Sequence, residues 1–514
     1  MKSWIPAAVV IALVAGLVGP VQAQSAHEDD DFELEIEEES ATPPPTVYRP
    51  SSIVTTRAVI ELRDDLKHEA DEDVFEQYGR FDISSSVDLR PGVFTKISGR
   101  IRTNYREHQS EGLDIPFTGE LGRWSSSLEL QDLFVGWNRE AFSVRLGNQV
   151  LPWGETDFGR PLDVLNPYDY RDGLAASTES PAVPTPMLRL DWRANSKVSF
   201  QAAYLPTFEP HRFHVFGSDQ APMGLLSDGV YAQILPMITD FLDPSLWDVA
   251  QPLLQATERP SHPITDAQVG TAVNIRLQGF DFGLYYAYLY DRFPEMEFNE
   301  DLATVLIGSL NTGFDSAQFL ELLADPDFKE AYDRVQENGA DLSSLLVGRY
   351  RRLHMAGISV GTSLGSIGIR SDVAFFSRRT LYATDFQAIQ SPVIVATAGM
   401  DYIRGDSFDM VIEGTSLILL DPPETPLLVL DDHWEQIFGS LRWRFLDDRS
   451  LQLSLGGMVG LKEFDWLAMA ELRYRIGPSH AFAVGARIMD GEPNTLGGLF
   501  DKNDELFLRY EWFL

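Results

Sequence analysis

The sequence of 514 residues predicts an all-β protein, a transmembrane antiparallel up-and-down β-barrel of about 18 strands, with about 16 as the alternative. From about residue 51 the chain repeatedly alternates apolar and polar side chains over segments of roughly 10 residues, as tilted membrane strands do. Every second connection between these segments is short. After the N-terminal region no stretch is apolar enough to form a spanning helix, and the other structure that crosses a bilayer is a closed barrel.

The N-terminus predicts export. Lys2 precedes an apolar run over residues 4–18, and Val21 and Ala23 offer a small-x-small cleavage site, so residues 1–23 are predicted to be a signal peptide. The run is shorter than the roughly 20 apolar residues that a spanning helix needs. An exported barrel is expected in the cell outer membrane of a Gram-negative bacterium.

Residues 24–50 predict a disordered periplasmic tail, because a dense run of acids is followed by three consecutive prolines and like charges resist compaction. Apolar residues alternate with the acids at Phe32, Leu34 and Ile36, so docking as a strand or entry into an arginine-lined pore is an alternative. No spacing among these acids resembles a calcium-binding EF-hand loop. We therefore assign no metal and no cofactor.

Residues 51–514 form the predicted barrel. In one clear segment Ile97 and Ile101 point one way, while Arg100 and Arg102 point the other. An apolar outward face with aromatic residues near the strand ends is typical of outer-membrane barrels. The predicted strands lie near residues 51–62, 78–90, 94–106, 126–138, 140–150, 183–193, 196–207, 268–278, 280–290, 348–361, 366–377, 393–404, 406–419, 433–446, 449–461, 463–476, 479–491 and 504–514.

The connections test this assignment independently. Outer-membrane barrels have short turns on the periplasmic side and longer loops outside, whereas a soluble β-sandwich shows no such parity. With the first strand running outward, both ends of the barrel lie in the periplasm, and the short connection near Lys462 is the exception to the rule. The predicted periplasmic turns lie at residues 90–92, 138–139, 194–195, 279, 363–365, 405, 447–448 and 477–478.

Two predicted extracellular loops, 208–267 and 291–347, are too long to lack secondary structure. Apolar residues recur there at helical spacing, for example Phe319, Leu320 and Leu323, so short helices are expected. These helices either pack together as a lid or form an apolar vestibule that captures an apolar solute.

Arginines occupy most of the charged positions that face the predicted lumen. A charge on the lipid face costs about 2–4 kcal/mol at the bilayer midplane, which favours the inward assignment. A cationic wall attracts anionic solutes, but arginines also brace barrel walls by pairing with carboxylates and carbonyls. The predicted pore-lining residues are Arg100, Arg102, Arg145, Arg189, Arg276, Arg370, Arg442, Arg444, Arg473, Arg475 and Arg487, with Arg193 and Arg509 on the same face.

The segment that follows Gln149 is too polar and too rich in proline to continue a strand. It carries charges of both signs, so it is predicted either to fold inward as a constriction loop or to buttress the barrel wall through Arg–Asp pairs. Trp153 is a packing anchor or a solute contact in these two interpretations. The predicted constriction residues are Trp153, Asp157, Arg160, Asp163, Asn166, Asp169 and Arg171.

The same segment carries a family resemblance. An Arg-x-Gly-x-Gln strand end leads into Trp-Gly and then Asp-x-x-Asn-Pro-x-Asp, and this pattern resembles a proteobacterial family of outer-membrane porin-like proteins catalogued as a domain of unknown function. It is more distantly similar to alginate-export-type and other substrate-selective porins. The resemblance implies passage of solutes through an outer-membrane barrel. The matching residues are Arg145, Gly147, Gln149, Trp153, Gly154, Asp163, Asn166, Pro167 and Asp169.

Composition excludes several classes of function. With 41 Lys or Arg against 77 Asp or Glu, the net charge is −36, so nucleic acid is not expected as a partner. The absence of cysteine excludes disulfides and thiol catalysis. No G-x-S-x-G, H-E-x-x-H or phosphate-binding glycine loop is present, and we expect no enzyme activity. Asp431, Asp432 and His433 imitate a carboxylate–histidine pair, which makes an outer-membrane hydrolase the least favoured alternative.

The sequence thus predicts a porin-like channel for passive or selective passage of small solutes, anionic or apolar. The alternative is a surface adhesin or an assembly or structural barrel without an open pore. The expected partners are outer-membrane lipid and lipopolysaccharide, the barrel-insertion machinery and a small-molecule solute. Leu514 departs from the terminal Phe usual in such barrels, although Tyr510 and Trp512 keep the rest of that insertion signal.

Overall fold

The structure is a computed structural model of the chain. The structure describes residues 52–65, 75–106, 124–170, 182–212, 257–298, 301–302, 304–305, 308, 319–320, 322–338, 346–383, 388–425, 427, 433–446, 448–462, 464–492, 495–500 and 504–513. The predicted signal peptide and the acidic tail lie outside these residues, as do Arg171, Asp431 and Asp432.

Eighteen strands form one sheet in which each strand pairs antiparallel with the next barrel strand along the chain. The first nine are β1 (Ser52–Asp65), β2 (Phe75–Arg90), β3 (Val93–Arg106), β4 (Trp124–Arg139), β5 (Phe142–Gln149), β6 (Thr185–Arg193), β7 (Val198–Leu205), β9 (Gln268–Leu277) and β10 (Phe280–Tyr290). The others are β13 (Arg352–Leu364), β14 (Ile367–Tyr382), β15 (Ala388–Arg404), β16 (Phe408–Leu419), β17 (His433–Phe445), β18 (Leu451–Gly460), β19 (Asp465–Ile476), β20 (His480–Gly491) and β21 (Glu505–Phe513).

The sheet closes on itself because β1 pairs with β2 on one edge and with β21 on the other. The register of the closing pair runs from Arg57 opposite Phe513 to Asp65 opposite Glu505. The prediction of an up-and-down barrel with 18 strands is therefore confirmed, and the alternative of about 16 strands is wrong. Closure pairs the backbone groups of every strand edge, which a barrel needs in lipid.

The two faces of the sheet separate as the alternation predicts. On β21, Leu508 is 59% exposed on the outer face, whereas its neighbour Arg509 is 7% exposed on the inner face. On β3, Ile97 and Ile101 are likewise exposed, and Arg102 is buried. The barrel thus has an apolar exterior and a charged interior, the pattern of a membrane-spanning barrel.

The connections at one end of the barrel are short turns. Gly279, Gly365, Gly405 and Gly477 adopt positive φ angles of 54–89° in these turns. L-residues with a Cβ rarely adopt such angles, which is why glycine occupies the positions. The opposite end carries the long connections, and we call the two ends the short-turn end and the long-loop end.

The long connections contain little regular structure among the described residues. The predicted helix in the 291–347 loop is present as α1 (Pro326–Asn338). The other predicted helical loop, 208–267, lies mostly outside the described residues. A further turn of helix, α2 (Leu496–Leu499), and a small sheet of β8 (Thr257–Glu258), β11 (Glu295–Phe298) and β12 (Leu346–Arg349) were not predicted. In the described part of the chain no helix has the length and apolar character to cross a membrane.

Candidate functional site: a lumen crossed by one segment

The segment between β5 and β6 folds into the barrel, and we call residues 150–170 the inner segment. Leu151, Leu162 and Leu165 are buried within it, in the same apolar cluster as inward-facing wall residues. At its tip, Phe158 stacks on Phe438 of β17, with ring centroids 5.7 Å apart. In the ring of eighteen strands, β17 lies nine strands from β5. The inner segment therefore reaches the wall opposite its origin.

Two wall carboxylates hold the tip. Asp372 on β14 accepts the backbone N–H groups of Glu155 and Thr156, each at 2.9 Å, and the Thr156 hydroxyl at 2.7 Å. Glu413 on β16 accepts the N–H groups of Asp157 and Phe158, both at 2.7 Å. Four successive backbone donors are thus bound by two anions, and hydrogen bonds to ionised acceptors are about twice as strong as neutral ones. We call Asp372 and Glu413 the carboxylate clamp.

An arginine and a glycine complete the contact. Arg370 donates to the Glu155 carbonyl at 2.9 Å and to the Asp157 carboxylate at 2.6 Å. Next to the tip, a Cβ on Gly159 would collide with the hydroxyls of Thr397 and Thr415, which hydrogen-bond to each other at 2.9 Å. Glycine is therefore needed where the segment approaches the wall.

Trp153 and Asn166 are buried at the base of the inner segment. The Trp153 indole donates to Gln201 at 2.5 Å, and its ring packs 5.4 Å from that of Tyr285. The Asn166 side chain accepts from the Leu151 N–H at 2.8 Å and donates to two carbonyls and the Thr185 hydroxyl at 3.0–3.1 Å. Both residues hold the segment against the wall.

The remaining predicted constriction residues that the structure describes form ion pairs. Arg160 lies 3.9 Å from the Asp163 carboxylate, which also accepts a hydrogen bond of 2.5 Å from the Tyr168 hydroxyl. Asp169 lies 3.5 Å from Arg102 on β3. The inner segment thus carries Arg–Asp pairs of the kind expected for a wall buttress.

Burial perturbs one carboxyl of the inner segment that lies outside the strands. Burial first, and then the charges of Asp372 and Asp281, raise the pKa of Glu155 above its usual range. Arg370, which donates to the Glu155 carbonyl, offsets part of this effect. The side chain therefore carries its charge at a cost in the folded protein.

The wall contacts of the inner segment lie mainly on β9 to β17, and the opposite wall carries most of the basic residues. There Arg57 and Arg473 pair with Glu511 at 3.3 and 2.7 Å. Arg80 and Arg100 pair with Asp82 at 2.5 and 2.8 Å. The four arginine side chains are 20–27% exposed, and we call them the basic lumen patch.

Charge is unbalanced in this patch. In these pairs four guanidinium groups share two carboxylates, of which Glu511 is buried and also pairs with Arg509, while Asp82 is partly exposed. Glu129 lies opposite Arg100 in the β3–β4 register. The accessible part of this wall therefore has a positive potential, which is attractive to anions. Sequence analysis did not predict Arg57 and Arg80 as pore-lining. The outward-facing positions of β1 and β2 include small or polar residues, so the alternation of apolar and polar side chains is weak on these strands.

Four strands share a buried network of ion pairs, which lies nearer to the long-loop end than the basic lumen patch does. Arg509 lies 3.2 Å from Glu61 and also pairs with Glu471, and Arg487 lies 3.2 Å from Glu61 and also pairs with Glu505. The network joins β1, β19, β20 and β21, where the first and last strands close the barrel. We call it the seam network.

The remaining predicted pore-lining arginines lie in different surroundings. Arg370 belongs to the contact with the inner segment, and Arg145 lies over the rings of Phe94 and Phe134. Arg276 is 75% exposed near a short turn and pairs with Asp281. Arg189 pairs with Asp191, Arg442 and Arg444 pair with Asp409, and Arg193 and Arg475 are exposed near the short-turn end.

No three metal-ligating side chains come together in the described residues. His433, the predicted rim histidine, lies 3.1 Å from Glu435 and 3.2 Å from the Ser416 hydroxyl. Its two predicted carboxylate partners lie outside the described residues.

The closed barrel, its apolar exterior and the inner segment define a porin-like membrane β-barrel. The chain belongs to the family described as protein of unknown function (DUF1302), whose sequence profile matches residues 99–455. That match begins within β3, ends within β18 and includes every barrel strand between them. No curated protein matches the chain significantly.

Three solved structures are among those to which the chain is similar. OpdK from Pseudomonas aeruginosa is 9% identical with a TM-score of 0.42, covering 90% of this chain and 99% of its own. OccK2 (OpdF) from the same organism, solved with glucuronate, is 11% identical with a TM-score of 0.43, covering 90% and 98%. OccAB4 from Acinetobacter baumannii is 8% identical with a TM-score of 0.46, covering 90% and 98%.

Proposed function

We propose that this protein is an outer-membrane channel that conducts small anionic solutes past the basic lumen patch. The observation that carries the proposal is that four partly exposed guanidinium groups share two carboxylates on β1, β2, β3, β19 and β21. Arginine-lined walls favour anions in pores, and an opposed loop sets the pore diameter.

The same proposal assigns an orientation and partners. The short-turn end faces the periplasm and the long-loop end faces outside, as in other outer-membrane barrels. Residues 1–23 direct export and are removed, and residues 24–50 form a periplasmic tail. The apolar exterior contacts outer-membrane lipid and lipopolysaccharide, and the barrel is inserted by the barrel-insertion machinery.

Planar-bilayer recording tests the channel. Purified protein is expected to conduct, and the reversal potential in a salt gradient is expected to show anion selectivity. In the double variant R57Q/R100Q the ratio of anion to cation permeability should fall several-fold, because two of the four guanidinium charges are removed. The matched control is R449Q, which removes an exposed arginine of the turn between β17 and β18 and should leave the selectivity unchanged. A cation-selective wild type, or equal selectivity in both variants, would contradict the proposal.

A barrel without an open pore is the second candidate, because part of the lumen is densely filled. The seam network is buried, and the inner segment covers much of one wall. An adhesin or structural barrel predicts no conductance from folded protein, so the same recording separates the two functions. No observation in the described residues favours hydrolysis or an apolar cargo over these candidates.

A further inference from the structure

Aromatic and basic side chains gather on the outer face of β10, β13 and β14, near the long-loop end. Tyr286 and Tyr288 project outward from β10, and His354 projects from β13 with its ring 4.8 Å from that of Tyr288. The Tyr286 hydroxyl and the His354 Nδ1 share a hydrogen bond of 2.9 Å. Arg352 on β13 and Arg378 on β14 flank these rings. We call the five residues the outer basic patch.

The length of β13 sets the height of this patch on the barrel. His354 is ten residues from Leu364, where β13 reaches its short turn. At about 3.3 Å per residue and a tilt of about 40°, this stretch rises about 25 Å along the barrel axis, the height of the apolar band of outer-membrane barrels. Trp443 and Tyr474 are exposed on the outer face near the short turns and mark the other border of the band. The patch therefore lies at the level of lipid headgroups.

A β-bulge directs Arg378 towards the outside. β14 has one extra residue between Phe376 and Arg379, where its register with β15 shifts. Phe376 is buried on the inner face, and Arg379 also points inward, 3.8 Å from the buried Asp291. Arg378 lies between them in sequence, is exposed, and has no ion-pair partner in the described part of the chain. A charge on the lipid face is costly within the apolar band, so the position of Arg378 indicates contact with a polar headgroup.

Arg352 is held in place without losing its charge. Its guanidinium lies over the rings of Tyr288 and Tyr290, 4.8 and 4.3 Å from their centroids. Its terminal nitrogens donate to the backbone carbonyls of Ala267 and Thr265 at 3.0 and 2.5 Å. These acceptors are neutral, and an aromatic face attracts a cation without neutralising it. The guanidinium is thus fixed in position and still carries a charge to offer an anion.

The acids near the patch leave it positively charged. Asp266 is the acid beside Arg352, and it accepts two backbone N–H groups of its own turn, at 2.9 and 3.0 Å. Glu295 is paired with Arg351. Among the described residues, two guanidinium groups of the patch therefore face one carboxylate, and His354 adds charge when it is protonated. Such a surface is attractive to anions.

Apolar surface continues from the patch towards the short-turn end. Leu284 on β10, Ile358 on β13 and Phe375 on β14 are exposed on the outer face. Acyl chains pack on such a surface, whereas a free phosphate ion gains nothing from it. The combination of charge above and apolar surface below favours an anionic lipid as the ligand.

We propose that the outer basic patch binds lipid A, the phosphorylated and acylated sugar of lipopolysaccharide. Arg352 and Arg378 pair with a phosphate group, Tyr286 and Tyr288 pack against the sugar, and the acyl chains lie along the apolar surface of β10, β13 and β14. The site rests on the proposed function for the orientation that places the long-loop end outside, and it gives the contact with lipopolysaccharide a defined position.

Titration of the folded, detergent-purified protein with lipid A, followed by native mass spectrometry, tests the site. Bisphosphorylated lipid A should bind about tenfold more tightly than lipid A from which both phosphates have been removed. Inorganic phosphate should not bind measurably, because it lacks acyl chains. Equal binding of the two lipids would reduce the contact to apolar packing, and binding of inorganic phosphate as tight as that of lipid A would assign the patch to free phosphate. Either result would overturn the proposal.

Variants locate the binding. R352Q/R378Q should weaken the binding of lipid A about tenfold, since two charge-assisted contacts are lost. R378Q alone removes an exposed side chain and should weaken it several-fold. The matched control is K329Q/R334Q, which removes two exposed cations from α1 and should bind like the wild type. Heat-modifiable gel mobility identifies the folded variants, and if folded R378Q binds lipid A as the wild type does, the patch is not the site.

The outcomes distinguish this site from the proposed channel. R352Q/R378Q should keep the anion selectivity of the wild type in planar bilayers, and R57Q/R100Q should keep its binding of lipid A. An anion-selective pore that binds both forms of lipid A equally retains the channel and rejects the site. A silent barrel that binds lipid A with the expected variant effects retains the site and rejects the channel.

Discussion

At the scale of single residues, Asn166 shows how one side chain replaces a missing stretch of sheet. Its amide donates to the Gln149 and Val183 carbonyls and accepts from the Leu151 N–H, at the point where β5 ends and β6 begins. These backbone groups are otherwise left unpaired in a buried place, which costs about 1–3 kcal/mol each. The sequence marked Asn166 as a constriction residue and as part of the family pattern, but not as a link between strand ends, because its partners depend on the fold.

Glu155 gives a prediction of pH dependence. Its pKa is raised in the fold, chiefly by burial, so its ionisation destabilises the folded state. This cost is absent below the unfolded pKa near 4.5, grows as pH rises towards the folded pKa, and is complete above it. E155Q should therefore raise the unfolding temperature relative to wild type at pH 7, and the gain should shrink by pH 4.

Unfolding temperatures of both proteins at the two pH values measure this effect. E330Q, which changes an exposed glutamate on α1, should show no such dependence on pH. An equal difference between E155Q and wild type at pH 4 and pH 7 would show that the Glu155 charge is not the cause.

At the scale of elements, the strands and the inner segment follow different rules. A strand is recognised from its own residues, because side chains alternate and turn glycines recur locally. The position of the inner segment depends instead on the carboxylate clamp, which joins residues 217 and 255 positions apart in the sequence. The sequence therefore predicted that the segment leaves the sheet and carries paired charges, but not which wall it contacts.

The clamp gives a prediction about conductance. D372A/E413A removes the acceptors of four backbone N–H groups, so the tip of the inner segment should lose its fixed position on β14 and β16. Single-channel conductance should rise, and the open-channel current should become noisier, because the constriction is released. Bilayer recording of folded protein measures both quantities.

D281N is the matched control for the clamp, since it removes a wall carboxylate from an exposed pair near a short turn. Its conductance should equal that of the wild type. If the double variant conducts with unchanged amplitude and noise, the clamp does not position a constriction.

At the scale of the whole molecule, the net charge of −36 hides two different surfaces. The barrel interior gathers arginines on one wall, whereas many of the acids lie in the N-terminal tail and the loops. Barrel architecture, strand number and the inward direction of many charges were predictable because the alternation and the parity of connections recur in most of the strands. The pairing of arginines with particular acids was not, because it depends on the relative register of strands that are distant in sequence.

The seam network gives the last prediction, since it spans the junction that closes the barrel. E61Q removes the carboxylate that lies 2.7–3.2 Å from Arg63, Arg487 and Arg509, and it leaves buried guanidinium charge uncompensated. Breaking a buried ion pair from one side costs about 3–5 kcal/mol, more than a packed apolar replacement of both partners would. The temperature at which gel mobility shifts from the folded to the unfolded band should fall clearly for E61Q. D333N, which breaks an exposed pair with Lys329 on α1, should change it little, because exposed pairs contribute about 0–1 kcal/mol. Equal thermal shifts in the two variants would mean that the seam is held by its strand pairing alone, without a contribution from the ion network.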